Sequence, residues 1–207
     1  TWTSASKLIL LATGGLTGSG NIVTGGAGSN LTINQAGNSV YSGVISGAGS
    51  VTKLGSGTLT LSGANTYTGG TNFNAGNLNL GSTGAIGTSG TLSFGGGTMV
   101  YTTSNFTDYS GRFSTANNQA YAVDTGANSI TWSTPLTGVG ASLSKLGTGT
   151  LTLAGANSLS GGIALNAGAV LVGNANALGT GSIAVASGTT LDLAGYTVTT
   201  ANPLSLS

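Results

Sequence analysis

The sequence predicts an all-β protein: a parallel β-helix (solenoid) of about ten coils, or rungs, with no substantial α-helix. Three features support this: a long internal repeat, short stretches in which hydrophobic and polar residues alternate, and a glycine-rich chain with almost no charge. Together they are typical of chains that wind short strands around one continuous core.

The internal repeat is the most informative feature. Residues 53–65 read Lys-Leu-Gly-Ser-Gly-Thr-Leu-Thr-Leu-Ser-Gly-Ala-Asn, and almost the same run of residues returns at 145–157. The match continues to an Asn-Ala-Gly turn at 74–76 and again at 166–168. Similarity over this length indicates stacked structural modules.

The repeat defines the predicted organisation. We expect one solenoid domain over 1–207, with repeat modules at about 43–98 and 136–193. Between them lies an aromatic-rich insertion at 99–132, and a further, open module begins at 203. An open solenoid end leaves backbone groups of its last strand unpaired, which favours addition of another coil.

Hydrophobic residues recur in triplets such as Leu59-Thr60-Leu61 and Leu151-Thr152-Leu153. A period of two indicates strands, so the outer residues of each triplet should face the core and the middle residue should face water. The next matching triplet begins 19 residues later in both modules, at Leu78 and Val170. That spacing suits one coil of a parallel β-helix.

Asparagines recur at the turns of both modules, with Asn65 matching Asn157 and Asn74 matching Asn166. Two structural roles are open for them: a left-handed backbone conformation, or stacked side-chain amide ladders along the solenoid. Either role is favoured over ligand binding, because the turns of a solenoid need such residues for folding.

Composition excludes several classes of function. Only four basic and three acidic residues occur, and charged residues make up 3% of the chain against about 25% in ordinary globular proteins. No basic stripe could neutralise phosphates, and no polybasic patch or long apolar run could engage a bilayer. We therefore expect neither a nucleic-acid partner nor direct membrane insertion of this segment.

Catalysis, metal binding and cofactor binding are not expected. Histidine and cysteine are both absent, which removes the commonest general base and the usual zinc ligands. Asp108 and Asp124, near Arg112, are the one plausible carboxylate pair, but we interpret Asp124 as closing an Asp-Thr-Gly turn and Asp108 as solvated. Lys7, Lys53 and Lys145 leave a Ser-Lys dyad as the last catalytic option. Lys53 and Lys145 share one position in the repeat, which indicates a packing or solubility role, and we interpret them as lysines at an exposed strand margin that discourage unwanted strand pairing.

The insertion at 99–132 is the one candidate ligand-binding region. It holds six of the twelve aromatic residues and three of the seven charged ones. The candidate interaction residues are Tyr101, Tyr109, Arg112 and Tyr121, because aromatic rings could stack on a glycan. The alternative is that these aromatics pack over the solenoid as a local core.

The run from Gly43 to Thr71 resembles the passenger-associated β-strand repeat of bacterial autotransporters and related giant surface proteins. The second copy departs from the pattern at Leu159 and Ile163, where the first has Tyr67 and Thr71. The resemblance implies a right-handed parallel β-helix in an extracellular or bacterial cell-surface location. It also implies a repeat that helps secretion and folding and supports other modules.

These observations predict a non-catalytic extracellular scaffold or stalk. Its sharper form is a scaffold that self-associates end to end into filaments. The alternative is an adhesin segment that binds a glycan or a surface protein through residues 99–132. A polysaccharide-active enzyme is disfavoured because the chain has too few acidic residues.

Overall fold

The computed structural model describes residues 7–198 and 202–207. Within these ranges the chain consists of strands and turns, with one short 3-10 helix, η1 (Ser110–Arg112), and no α-helix. The strands stack into about nine coils of a parallel β-solenoid. The prediction of an all-β parallel β-helix of about ten coils is therefore confirmed.

The chain divides into two compact units, Thr1–Asn105 (the N-terminal unit) and Phe106–Ser207 (the C-terminal unit). The described part of the N-terminal unit contains eleven strands. They are β1 (Leu8–Ala12), β2 (Ile22–Thr24), β3 (Asn30–Gln35), β4 (Ser39–Tyr41), β5 (Ile45–Gly47), β6 (Ser50–Leu54), β7 (Thr58–Leu61), β8 (Thr71–Phe73), β9 (Asn77–Leu80), β10 (Leu92–Phe94) and β11 (Thr98–Tyr101).

In the N-terminal unit, strands one coil apart pair in parallel. One sheet has the order β1-β3-β6-β8-β10, a second has the order β4-β7-β9-β11, and β2 pairs with β5. The register sets Leu59 beside Leu78 and Leu61 beside Leu80, so like residues lie above one another. These leucines are fully buried, whereas Thr60 and Asn79 are only half-buried, as the alternation predicts.

The described part of the C-terminal unit contains nine strands. They are β12 (Ala120–Asp124), β13 (Ser129–Trp132), β14 (Ser142–Leu146), β15 (Thr150–Leu153), β16 (Gly162–Leu165), β17 (Ala169–Val172), β18 (Ile183–Val185), β19 (Thr190–Asp192) and β20 (Leu204–Leu206). They form parallel sheets in the orders β12-β14-β16-β18-β20 and β13-β15-β17-β19.

The core of the C-terminal unit is again a set of apolar columns. Leu143, Ile163, Ile183 and Leu204 follow one another through four adjacent strands. Exposure rises along this column from 1% at Leu143 to 58% at Leu204, since β20 has a pairing partner on only one side among the described residues. Burial in this fold therefore depends on having a coil on both sides.

The organisation into modules at 43–98 and 136–193, an insertion at 99–132 and an open module from 203 stays a prediction. The structure adds that each repeat lies in a different unit. Among the described residues, no helix is long and apolar enough to cross a membrane.

Candidate functional site

The aromatic residues of the insertion are packed inside the protein. Tyr101, Tyr109 and Tyr121 expose 2%, 4% and 1% of their surface. In the C-terminal unit the ring of Phe113 meets Trp132 edge to face, with centroids 4.8 Å apart, and stacks on Tyr121 at 5.7 Å. Such contacts add to the stability of a local core.

This packing bears directly on the candidate interaction residues. Stacking on a glycan requires a solvent-exposed ring face, and none of the three tyrosines has one. The Tyr121 hydroxyl donates a hydrogen bond to the Ser114 carbonyl at 2.7 Å, and burial raises the pKa of this phenol. A ligand role for these tyrosines stays a prediction, and their burial favours the alternative of a local core.

Arg112 is the fourth candidate residue. It ends η1 and is half-buried, with its guanidinium carbon 5.9 Å from the centroid of the Tyr109 ring. At this distance the cation is attracted by the electron-rich face of the ring. Arg112 therefore helps to hold η1 against the protein, and its predicted ligand role is untested.

Asp108 is exposed, but its carboxylate fastens two segments of the C-terminal unit together. One oxygen accepts from the Ser110 amide at 2.8 Å; the other accepts from the Ser133 amide at 2.9 Å and the Ser133 hydroxyl at 2.6 Å. Burial raises the pKa of this carboxyl, but the bonds from Ser133 and Ser110 outweigh burial and lower it overall. Asp108 is therefore solvated, as predicted, and in addition it bonds to Ser110 and Ser133.

Asp124 closes a turn, as the sequence predicted. Its side chain accepts from the Gly126 amide at 2.8 Å, which is the Asx-turn bond expected for Asp-Thr-Gly. The two carboxylates thus hold different turns, each by its own backbone bonds.

Lys53 and Lys145 overturn the interpretation of exposed lysines. They expose 1% and 0% of their surface and lie among the largest fully buried side chains. The sequence held a signal for this, because Lys53 is two residues from buried Val51 and so lies on the same, inward face of β6. The prediction that these lysines lie at an exposed strand margin is therefore wrong.

Asn65 and Asn157 adopt neither of the two expected roles. Neither has a positive φ; the non-glycine residues described with one are Asn118 and Ala194. The Asn65 side chain instead accepts from the Ile45 amide at 2.7 Å and donates to the Ala85 carbonyl at 2.7 Å. It therefore joins the coil before it to the coil after it.

The second copy repeats this arrangement. Asn157 accepts from the Leu136 amide at 2.8 Å and donates to the Ala177 carbonyl at 2.6 Å. The equivalent asparagines of the two copies thus make the same hydrogen bonds to the backbone of both neighbouring coils. These bonds run from side chain to main chain, so they are not an amide ladder.

Within residues 7–198 and 202–207, no group of three or more acidic, histidine or cysteine side chains could hold a metal ion. An apolar cavity of about 250 Å³ lies at the last coils, where Ile183, Leu193, Asn202 and Leu204 are among its lining residues. Nine large hydrophobic side chains are exposed among the described residues, and Phe106 and Leu206, at 57% and 73%, are two of them.

Comparison with known proteins identifies the repeat. The passenger-associated transport repeat matches residues 51–80 and 143–172, one copy in each unit. The chain carries two passenger-associated transport repeats. These passenger repeats span the buried lysine and the buried asparagine of each copy, together with the Asn-Ala-Gly turn that follows.

A relative supports the autotransporter assignment. The chain is 34% identical over 190 residues to the protein named adhesin BmaC autotransporter of Brucella suis biovar 1 (strain 1330). The match covers 79% of this chain and 5% of that much longer protein. The chain is thus of the autotransporter passenger type, and its location is extracellular or at the cell surface, as predicted. No solved structure matches it.

Proposed function

We propose that this chain is a non-catalytic structural segment that extends and displays other modules at the cell surface. The observation that carries this proposal is the bonding of the passenger repeats to their neighbouring coils through Asn65 and Asn157. The acidic side chains Asp108 and Asp124 hold turns, and the tyrosines of the insertion fill a core. The asparagine, aspartate and tyrosine side chains that could have bound a ligand thus contribute to folding instead.

A surface-display fusion tests this scaffold role. The chain is placed between a membrane anchor and a reporter domain, and a second fusion duplicates residues 53–144 to add one repeat period. We expect both reporters to be accessible to antibody, and cells displaying either chain without a reporter to adhere to nothing. Adhesion of those cells to host cells or glycan surfaces would contradict a purely structural role.

An adhesive role is the second candidate, and similarity to a protein named as an adhesin favours it. Within residues 99–132 the exposed apolar side chain is Phe106, whereas the nearby tyrosines are buried. A glycan or host protein that binds the insertion would therefore contact Phe106 rather than Tyr109 or Tyr121.

Glycan-array and cell-binding assays with Phe106→Ser test the adhesive role. The matched control is Val40→Ser, which removes an exposed apolar side chain (54% exposed) from the other unit. Binding that is lost with Phe106→Ser and kept with Val40→Ser supports adhesion through the insertion. Equal binding of both variants, or none by the unaltered chain, contradicts it.

End-to-end self-association is the finer form of the scaffold proposal. The register places Leu204 and Leu206 in inward-facing columns, yet they are 58% and 73% exposed. We propose that β1 of a second copy pairs with β20 and covers these two leucines. Leu8 and Leu10 of β1 have the same two-residue spacing, and within their own unit they continue the inward-facing columns of β3. Neither β1 nor β20 carries a charge that would repel the other.

Sedimentation velocity over a concentration series tests this association. We expect the chain to form larger species as concentration rises, and Leu204→Asp with Leu206→Asp to remain monomeric. Val40→Asp, at a comparably exposed position, should associate as the unaltered chain does. A chain that stays monomeric at high concentration would rule out self-association.

A further inference from the structure

Each passenger repeat contains a lysine where the fold calls for an apolar residue. In the N-terminal unit the inward column reads Ile33, Lys53 and Phe73 in three adjacent strands. In the C-terminal unit Val123, Lys145 and Leu165 occupy the equivalent column. Taking an ammonium group out of water is costly, so its presence at both positions calls for a physical reason.

Both ammonium groups are satisfied by backbone carbonyls alone in the same pattern. Lys53 Nζ donates to Leu54 and Gly55 at 2.8 Å each and to Ala75 at 3.3 Å. Lys145 Nζ donates to Leu146 and Gly147 at 2.8 Å each and to Ala167 at 3.1 Å. An ammonium group has three N–H donors, so all three are used at each position.

The third acceptor always belongs to the following coil. Leu54 and Gly55 lie in the lysine's own turn, whereas Ala75 is 22 residues further along the chain. The arrangement is therefore complete only when the Asn-Ala-Gly turn of the following coil lies directly on the turn that begins at Leu54 or Leu146, which we call the lysine turn.

The two turns fit each other closely. Gly76 has a φ of +62°, and a Cβ added to it would collide with the carbonyl oxygens of Gly55 and Gly57. Gly168 has a φ of +69° and has the same relation to Gly147 and Gly149. Only a turn with glycine in a left-handed conformation can lie here and bring its alanine carbonyl to the ammonium.

The apolar columns do not select this arrangement by themselves. If β10 instead of β8 lay on β6, Phe94 would replace Phe73 and Leu92 would replace Thr71, so both columns would be at least as apolar as they are now. Doubling the length of the loop adds only about 0.6 kcal/mol to the cost of closing it. The turn after β10 is different, because it is Gly95-Gly96-Gly97 and Gly96 has a φ of +121°.

We propose that Lys53 and Lys145 determine which coil stacks on which, and that they serve this selection rather than overall stability. A coil that stacks out of order leaves a buried ammonium without its third carbonyl, which is strongly unfavourable. In the correct order the free-energy cost of burying the charge is roughly offset by the energy of its three hydrogen bonds, as is common for buried charged groups. Single polar residues in an apolar seam fix register in coiled coils by the same principle.

Refolding of the full chain with Lys53→Met and Lys145→Met together tests the proposal. Methionine keeps the length and apolar character of the side chain and removes the charge. We expect the midpoint of urea unfolding to stay the same or rise, while refolding gives at least twofold less of the native species. The remainder should be misstacked forms, detected as split hydrogen-exchange envelopes in peptides from 51–80 and 143–172. Lys7→Met, at an exposed lysine, is the matched control and should refold as the unaltered chain does.

Two results would overturn the proposal. One is refolding of the double variant to a single species with unaltered yield. The other is a lower unfolding midpoint with exchange that stays uniform, since the lysines would then contribute only stability. If the double variant does not fold, the single variants decide the question. Lys53→Met should split the exchange envelopes only around 51–80 and Lys145→Met only around 143–172, and uniform exchange in both would contradict the proposal.

Discussion

The Tyr67 and Thr71 hydroxyl groups lie 2.6 Å apart and form a hydrogen bond inside the first passenger repeat. Both residues are fully buried. The second repeat has Leu159 and Ile163 at the two positions, also buried, so both members of the polar pair are replaced by apolar residues. Replacing both partners together avoids leaving one buried polar group alone.

A double-mutant cycle tests this pairing. Tyr67→Phe and Thr71→Val should each lower the free energy of unfolding by about 1–2 kcal/mol, and the double variant should cost less than the sum of the two. Urea unfolding gives the three values. Strictly additive losses would show that the two hydroxyls do not depend on each other.

Removing the buried asparagine should destabilise each repeat strongly. Asn65→Ala leaves the Ile45 amide and the Ala85 carbonyl without their side-chain partner in the core, at about 1–3 kcal/mol for each group. Asn157→Ala should cost a similar amount, because its two bonds are equivalent.

Asn79→Ala is the matched control for these variants, since Asn79 faces outward and is half-buried. It should change the free energy of unfolding by no more than about 0.5 kcal/mol. Chemical denaturation of all three variants measures the difference. An Asn65→Ala variant as stable as Asn79→Ala would mean that water or a shift of the turn replaces the lost bonds.

Alanine at Gly76 should separate backbone strain from collision between stacked turns. Gly76 and Gly188 both have a left-handed φ, +62° and +75°, but a Cβ on Gly188 meets nothing within 4 Å. Gly188→Ala should therefore cost only the conformational penalty, about 1–2 kcal/mol. Gly76→Ala adds the collision with the carbonyls of Gly55 and Gly57 and should cost clearly more, as measured by thermal unfolding. Equal losses would indicate that the lysine turn moves aside easily.

Stability should rise with pH in the mildly alkaline range. Burial lowers the pKa of Lys53 and Lys145 to about 8 from the ordinary value of 10.5, although Asp124 opposes this at Lys145. Above about pH 8 the unfolded chain keeps protons that the folded chain releases, so the free energy of unfolding increases with pH. Burial raises the pKa of Tyr41 and Tyr121 above 10.0, which has the opposite effect at higher pH.

Urea unfolding at about pH 7.5 and about pH 9 measures this change before much of the tyrosine ionises. The rise should disappear in the variant with Lys53→Met and Lys145→Met, which lacks both titrating groups. A fall in stability over this interval in the unaltered chain would show that the three carbonyls hold the proton more firmly than burial repels it.

Residue chemistry predicted one contact of the candidate site, and that contact is local. The Asx turn of Asp124 depends on three consecutive residues, and the structure confirms it. The bonds of Asp108 to Ser133 join residues 25 positions apart, so no local pattern could reveal them. The tyrosines of the insertion share this limit, because a ring that could bind a ligand and a ring that fills a core have the same local sequence.

The order of residues along the chain was enough to specify the parallel solenoid, its repeat and the alternation of buried and outward residues. These follow from a period of two within each strand and from the near-identity of two long segments. The partners of the buried polar groups became apparent only in three dimensions. Lys53 is buried because the carbonyl of Ala75 comes to lie on its ammonium, and Asn65 is satisfied because two other coils supply a donor and an acceptor. Partners such as these exist only after the coils have stacked, because every residue type offers nearly the same backbone amide and carbonyl.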